Sequence, residues 1–122
     1  LPAPKLVEFA EKFMFYGPEV SDYIKEIMPD NIDQYGTLVL GCTHFPLFRQ
    51  ALEENLPKEI DIIDGNRGTV NHLMDILKNN NLLSRSDKKG KVTFYKSGVE
   101  VKDQTLLKKY EKILYSRELK NP

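Results

Sequence analysis

Apolar residues recur at spacings of three and four along much of the chain, which is the period of an amphipathic helix. The segments with this spacing predict helices over 5–15, 18–28, 46–55, 70–77 and 105–115. Gly17 ends the first of these helices and Pro29 ends the second, and Thr69 is a candidate N-cap for the fourth. The chain is therefore predicted to be rich in short helices with one apolar side.

Three shorter segments have the character of strands. Thr37–Leu40 is an apolar run of strand length, 59–63 is similar, and 91–95 alternates between polar and apolar residues. Asp64-Gly65-Asn66 follows the second strand as a turn signal, and a plain turn is favoured there over a ligand contact. Strands that alternate with helices predict an α/β fold with a parallel sheet flanked by helices.

Composition narrows the class of protein. The 122 residues suffice for one domain with its own core, and 18 basic residues balance 18 acidic ones, which argues against a nucleic-acid surface. We expect no membrane span, since no apolar run approaches ~20 residues, and no signal peptide is visible. A single cysteine cannot form an internal disulfide, which favours the cytoplasm. Because the chain begins at Leu1, we expect it to be processed or part of a longer protein.

The single cysteine lies in the most informative stretch. Cys42 follows the strand Thr37–Leu40, His44 is two residues further on, and Pro46 marks a possible helix start. Open α/β sheets bind ligands outside the carboxyl ends of their strands. An imidazole and a helix N-terminus both favour a thiolate, so Cys42 is a candidate nucleophile or base. The alternative is an inert core cysteine, since cysteine is among the most buried residue types.

Metal and nucleotide sites have no support in the sequence. Structural zinc needs four ligands, whereas the chain has one cysteine and two histidines, which lie in different predicted elements. His72 is most simply a surface or partly buried helix residue. No glycine-rich phosphate loop is present, so no nucleotide cofactor is predicted.

Gly41-Cys42-Thr43-His44-Phe45-Pro46-Leu47 resembles the second cysteine motif of glutamate racemases. These enzymes interconvert L- and D-glutamate without a cofactor and supply bacterial cell-wall synthesis. Weaker similarities extend along the chain, at Ala3–Glu11, at 60–64 and at 92–98. The family usually continues Asp-Ser-Gly after the second of these segments, where this chain has Asp64-Gly65-Asn66.

The resemblance implies roles for particular residues. Cys42 would be one of the two thiol bases of the family and would act on one enantiomer. His44 and Glu11 would assist proton transfer on that side. Thr43 would bind the substrate, through its hydroxyl and backbone N–H, and His44 would also contact it. No metal and no cofactor are implied.

The resemblance covers only the C-terminal half of a racemase. Residues 1–64 would form the core of the second domain, and 65–122 would return to the first domain and pack on an N-terminal half that is absent here. The first cysteine motif lies in that half, so we expect the chain alone to be inactive. Its partners would be glutamate, the N-terminal half and further copies of itself, with no nucleic acid or membrane.

Two alternatives stay open. An aspartate or hydantoin racemase would share the two-cysteine chemistry and differ in substrate. A non-catalytic α/β binding module would keep Cys42 for structural reasons only.

Overall fold

The strands β1 (Thr37–Leu40) and β2 (Asp61–Asp64) pair in parallel in the computed structural model, which describes residues 1–88 and 90–116. Their register places Thr37 opposite Asp61 and Leu40 opposite Asp64. Both strands therefore end at the same edge. The predicted α/β fold with a parallel sheet flanked by helices is confirmed.

The chain divides into two compact units, Leu1–Leu83 and Ser84–Pro122. Besides the sheet, the first unit contains the α-helices α1 (Pro4–Glu11), α2 (Pro18–Ile27), α3 (Arg49–Asn55) and α4 (Asn66–Asn79), and the 3₁₀ turns Ile32–Gln34 and Phe45–Phe48. The second unit contains the strands β3 (Tyr95–Lys96) and β4 (Val99–Glu100) and the helix α5 (Gln104–Ser116). Residues 117–122 of the segment predicted to return to the first domain of a racemase lie outside the described residues.

The core of the first unit lies between α1, α2, α3 and the sheet. Its most completely buried side chains are Phe48, Ile24, Leu52 and Val20. The ring of Phe15 meets that of Phe48 edge to face, with centroids 5.9 Å apart, an arrangement that aromatic pairs prefer. Phe48 ends the 3₁₀ turn directly before α3. The burial of its ring therefore fixes where the segment after β1 enters the core.

Two of the predicted helices differ in extent. The first ends at Glu11, because Phe13 has φ 59°, a left-handed conformation that a helix cannot contain. The predicted helix 46–55 begins instead as the 3₁₀ turn Phe45–Phe48, and α-helical geometry starts only at Arg49. Backbone bonds between residues three apart, such as Leu47 N–H to His44 C=O at 3.0 Å, give this tighter turn.

The prediction that Thr69 caps the fourth helix is wrong. Helix α4 begins at Asn66, and Thr69 lies inside its first turns. The Asp64 carboxylate accepts the backbone N–H of Asn66 at 2.9 Å, so an aspartate at the strand end starts the helix earlier. The Thr69 hydroxyl donates to the carbonyl of Gly65 at 2.9 Å, as helical threonines do.

The predicted strand 91–95 is also wrong for most of its length. Pairing is antiparallel between β3 and β4, and it extends outward by one bond, from Val101 N–H to the carbonyl of Phe94. Ser97 and Gly98 both have positive φ, as a two-residue hairpin turn with the twist of its strands requires. The alternating sequence has strand character, but a strand forms only where a partner is available.

Helix α4 leaves its apolar side exposed. None of its residues is buried, and its exposed apolar side chains are Val70, Leu73, Met74 and Ile76. On the sheet, the paired residues Val39 and Ile63 are 66% and 50% exposed. Parallel sheets are normally covered on both faces. Within the first unit, α4 and this face of the sheet therefore lack a covering layer.

None of the described helices combines the length and the apolar character needed to cross a bilayer.

Replacing Phe48 tests the position of the core. We expect Phe48→Ala to lower the free energy of unfolding by about 3 to 5 kcal/mol, because a fully buried ring leaves a cavity. Tyr35→Ala is the matched control, since this ring is 51% exposed and its loss should cost less than about 1 kcal/mol. Urea unfolding followed by far-UV circular dichroism measures both. Equal losses would contradict the assigned core.

Candidate functional site

Cys42 lies two residues beyond the last residue of β1, at the edge where β2 also ends. Gly41 and Cys42 follow Leu40, which is buried in the core and paired with Asp64. The 3₁₀ turn then leads the chain away into α3. The thiol therefore occupies the carboxyl end of the parallel pair, where α/β proteins place their ligands.

Cys42, His44 and Glu11 form a line of three titratable groups. The Sγ atom of Cys42 lies 3.8 Å from Nδ1 of His44, and Nε2 of His44 lies 3.4 Å from Oε1 of Glu11. Glu11 is the last residue of α1 and precedes His44 by 33 residues. The packing of α1 against the 3₁₀ turn, with Leu6 and Ala10 buried, brings it there.

The Glu11 carboxylate determines which ring nitrogen of His44 carries the hydrogen. An ionised Glu11 only accepts hydrogen bonds, so Nε2 of His44 carries the hydrogen in the neutral ring. Nδ1 is then the acceptor, and it faces the Cys42 thiol. A proton that passes from the thiol to Nδ1 leaves a thiolate beside an imidazolium that still donates to Glu11. The arrangement is a thiol with a base and a group that orients the base.

The pKa values of the pair move in opposite directions. The backbone N–H of His44, followed by its imidazole, lowers the pKa of the Cys42 thiol; partial burial opposes this, and the backbone N–H of Phe45 contributes less. The thiol raises the pKa of His44 most, and Glu11 adds to the rise. Both shifts favour the thiolate–imidazolium pair over the neutral thiol and imidazole.

Cys42 does not lie at the N-terminus of an α-helix, although the sequence predicted that a helix N-terminus would favour its thiolate. The α-helix starts at Arg49, beyond the 3₁₀ turn, so Cys42 does not sit at its first turn. The N–H groups of His44 and Phe45 take over that role at close range. Local backbone geometry thus replaces the helix dipole as the cause of the lowered pKa.

The site is open on one side. Cys42 is half-buried, and the side chains of His44 and Glu11 are 32% and 66% exposed. Thr43, which lies between Cys42 and His44 in the sequence, is exposed, and His72 is exposed on α4. A half-buried thiol in contact with an imidazole weighs against a purely structural core cysteine.

The pair Arg49–Asp64 at this edge was not predicted from the sequence. Nη2 of Arg49 donates to Oδ2 of Asp64 at 2.9 Å, and Nη1 donates to the carbonyl of Ile62 at 2.6 Å. The sequence pattern indicates Asp64 only as part of a turn. The sequence does contain a signal for this pair, because Arg49 lies in the first turn of a predicted helix and Asp64 directly follows the next predicted strand.

The contact between His44 and Cys42 can be tested by alkylation. We expect His44→Ala to raise the apparent pKa of Cys42 and to slow its reaction with iodoacetamide at pH 7 about threefold to tenfold, because less thiolate is present. His72→Ala is the matched control and should leave the rate unchanged, since His72 lies on the exposed helix α4. A pH–rate profile measures both variants. The same profile for His44→Ala and the parent chain would contradict the assigned contact.

Comparison with known proteins finds several relatives that are all named glutamate racemase. No protein-family model matches the chain. It is 47% identical over 115 residues to the glutamate racemase of Halothermothrix orenii, which covers 93% of this chain and 45% of that protein. Glutamate racemase 2 of Bacillus subtilis is 40% identical over 114 residues, with 93% of the chain and 42% of the relative covered.

A glutamate racemase of Campylobacter concisus is likewise 40% identical over 115 residues, again across 93% of the chain and 43% of the relative. The chain thus spans somewhat under half the length of the relatives it matches. The agreement among separate relatives, across nearly all of these residues, shows that the chain belongs to the glutamate racemase family.

Proposed function

We propose that the chain is the C-terminal part of a glutamate racemase that interconverts L- and D-glutamate without a cofactor. The observation that carries the proposal is the line Cys42–His44–Glu11 at the carboxyl edge of the sheet. The names of the relatives support the choice of reaction and substrate. The same proposal places the enzyme in the cytoplasm, where D-glutamate would be made for peptidoglycan.

The chemistry requires two groups on opposite faces of the substrate. A thiolate at Cys42 removes the weakly acidic α-proton of one enantiomer and becomes a thiol, and the electron pair stays on the substrate as a carbanion. A second acid then donates a proton to the other face. This chain has one cysteine, so the second thiol comes from the N-terminal half of the enzyme.

His44 and Glu11 prepare the thiolate. His44 shares a proton with Cys42, and its raised pKa lets the imidazolium persist beside the thiolate. Glu11 orients the ring and supports its positive charge. Thr43 lies between Cys42 and His44 in the sequence and is exposed, and in this proposal its hydroxyl and backbone N–H bind the substrate carboxylate.

The remaining partner is the other half of the enzyme. In this proposal residues 1–64 belong to the second domain and 65–122 return to the first, so α4 packs against the N-terminal half. The exposed apolar side chains of α4 support this, since they are what such a layer would cover. Without that half, the chain either leaves this surface exposed or covers it by self-association.

The chain alone and the full-length enzyme that contains it should differ in racemase activity. We expect the purified chain to leave D- and L-glutamate unchanged, because one thiol serves only one face, and the full-length protein that contains it to racemise both. Circular dichroism of each enantiomer measures this, and parallel assays with aspartate test the choice of substrate.

In the full-length protein Cys42→Ala should lower kcat at least about a hundredfold, as removal of an essential acid–base group does. His72→Ala should leave it unchanged. Turnover by the chain alone would contradict the two-thiol chemistry.

The uncovered surface predicts self-association. Sedimentation velocity of the chain should show species larger than the monomer, or else the monomer should bind an apolar dye, because an exposed apolar patch of this kind is rare on a stable monomer. Leu73→Gln and Val70→Gln should reduce both signals, since both side chains are exposed on α4. A clean monomer that binds no dye would contradict the assignment of this surface.

A further inference from the structure

Arg49 and Asp64 join α3 to the end of β2. The guanidinium of Arg49 donates to the Asp64 carboxylate at 2.9 Å and to the carbonyl of Ile62 at 2.6 Å. The side chain of Asp64 is 15% exposed and that of Arg49 is 38% exposed, so the pair is partly withdrawn from water. Two hydrogen bonds from one planar group fix both distance and orientation.

The segment between β1 and α3, residues 41–48, carries Cys42 and His44. It begins next to Leu40, which pairs with Asp64 across the sheet, and it ends next to Arg49, which is bonded to Asp64. Both ends are therefore held at the same residue of β2. The segment is a loop that closes on Asp64.

Asp64 also holds a third element. Its Oδ1 atom accepts the backbone N–H of Asn66 at 2.9 Å, at the start of α4. One carboxylate thus meets α3, β2 and α4 at the edge of the sheet. A group that joins three elements restricts the movement of any one of them.

The contacts of the thiol are sensitive to small displacements. The distances from Cys42 to His44 and from His44 to Glu11, 3.8 Å and 3.4 Å, lie near the limit for hydrogen bonds to sulfur and oxygen. A shift of the loop by less than an ångström would break either contact. The loop therefore needs a fixed closure if the thiolate is to be kept.

We propose that Arg49 and Asp64 are a positioning pair that closes the loop 41–48 and thereby holds His44 against Cys42. Arg49 and Asp64 act through His44 and are positioning residues. The inference rests on the proposed function, because it gives the pair a part in presenting the catalytic thiol.

For Asp64→Asn, the loss of charge and the loss of the loop closure predict opposite shifts in the pKa of Cys42. Asp64→Asn removes a negative charge from the edge where Cys42 lies, and through charge alone this would lower the pKa of the thiol. Loss of the closure would instead release His44 and raise it. Among the contacts that the structure describes, the other charged groups are Glu11, on His44, and Glu53, which lies 3.9 Å from Arg49. Neither is altered by this variant.

The experiment is the pH–rate profile of Cys42 alkylation by iodoacetamide in the full 122-residue chain. We expect Asp64→Asn and Arg49→Gln each to raise the apparent pKa and to slow the reaction at pH 7 about threefold. Arg49→Lys should fall between them and the parent, because an ammonium can bond to Asp64 without the planar fork. Glu53→Gln is the matched control and should leave the profile unchanged.

Two further measurements exclude a general loss of structure. Ile24→Val weakens the core at a fully buried residue of α2, an element outside the loop, and it should not move the apparent pKa. At a pH where the thiol is fully ionised, folded variants should react at least as fast as the parent, because access to the sulfur is unchanged and a thiolate of higher pKa is the stronger nucleophile. Circular dichroism establishes that each variant is folded.

The outcomes distinguish this inference from the proposed function. An unchanged or lowered pKa in Asp64→Asn, with the effect of His44→Ala intact, overturns the positioning role alone and leaves the thiolate site standing. If His44→Ala itself has no effect, the proposed function loses its support. A raised pKa in both Asp64→Asn and Arg49→Gln, with Glu53→Gln unchanged, establishes the pair.

Discussion

The parallel pairing of two four-residue strands determines where everything else at the site lies. Because β1 and β2 run in the same direction, both release the chain at one edge, and the register sets Leu40 beside Asp64. The thiol that follows β1 and the carboxylate that ends β2 are brought to the same edge for that reason. A slip of one residue in this register would turn the side chains of β2 to the opposite face and move Asp64 away from Arg49.

Helix α1, which is distant from Cys42 in the sequence, completes the site at that edge. Helix α1 provides Glu11, and its place depends on the burial of Ala3, Leu6 and Ala10 in the core. The same core receives Phe48 from the end of the loop that carries Cys42. Apolar packing thus sets the distance between an acid and an imidazole, and the imidazole in turn sets the state of a thiol.

Much of this is predictable from local sequence. The strand Thr37–Leu40 is predicted residue for residue, since it is a short apolar run ended by glycine. The thiol and imidazole two residues apart are visible as neighbours, and similarity to a family adds Glu11, which no local pattern indicates. The helix start at Asn66 is missed, because it depends on a side chain that comes before the helical pattern begins. The Arg49–Asp64 pair is missed for a related reason: it forms only once two segments are folded against each other.

The far end of the line of titratable groups has one more consequence. Glu11 stands mostly in water, whereas Cys42 is partly covered. Dissolved ions screen exposed charges over roughly 10 Å at 0.1 M. The support that the carboxylate gives to the imidazolium therefore weakens as salt is added, while the short backbone contacts at the sulfur are little affected. Ionic strength thus acts on this thiol from a distance, through a carboxylate that never touches it.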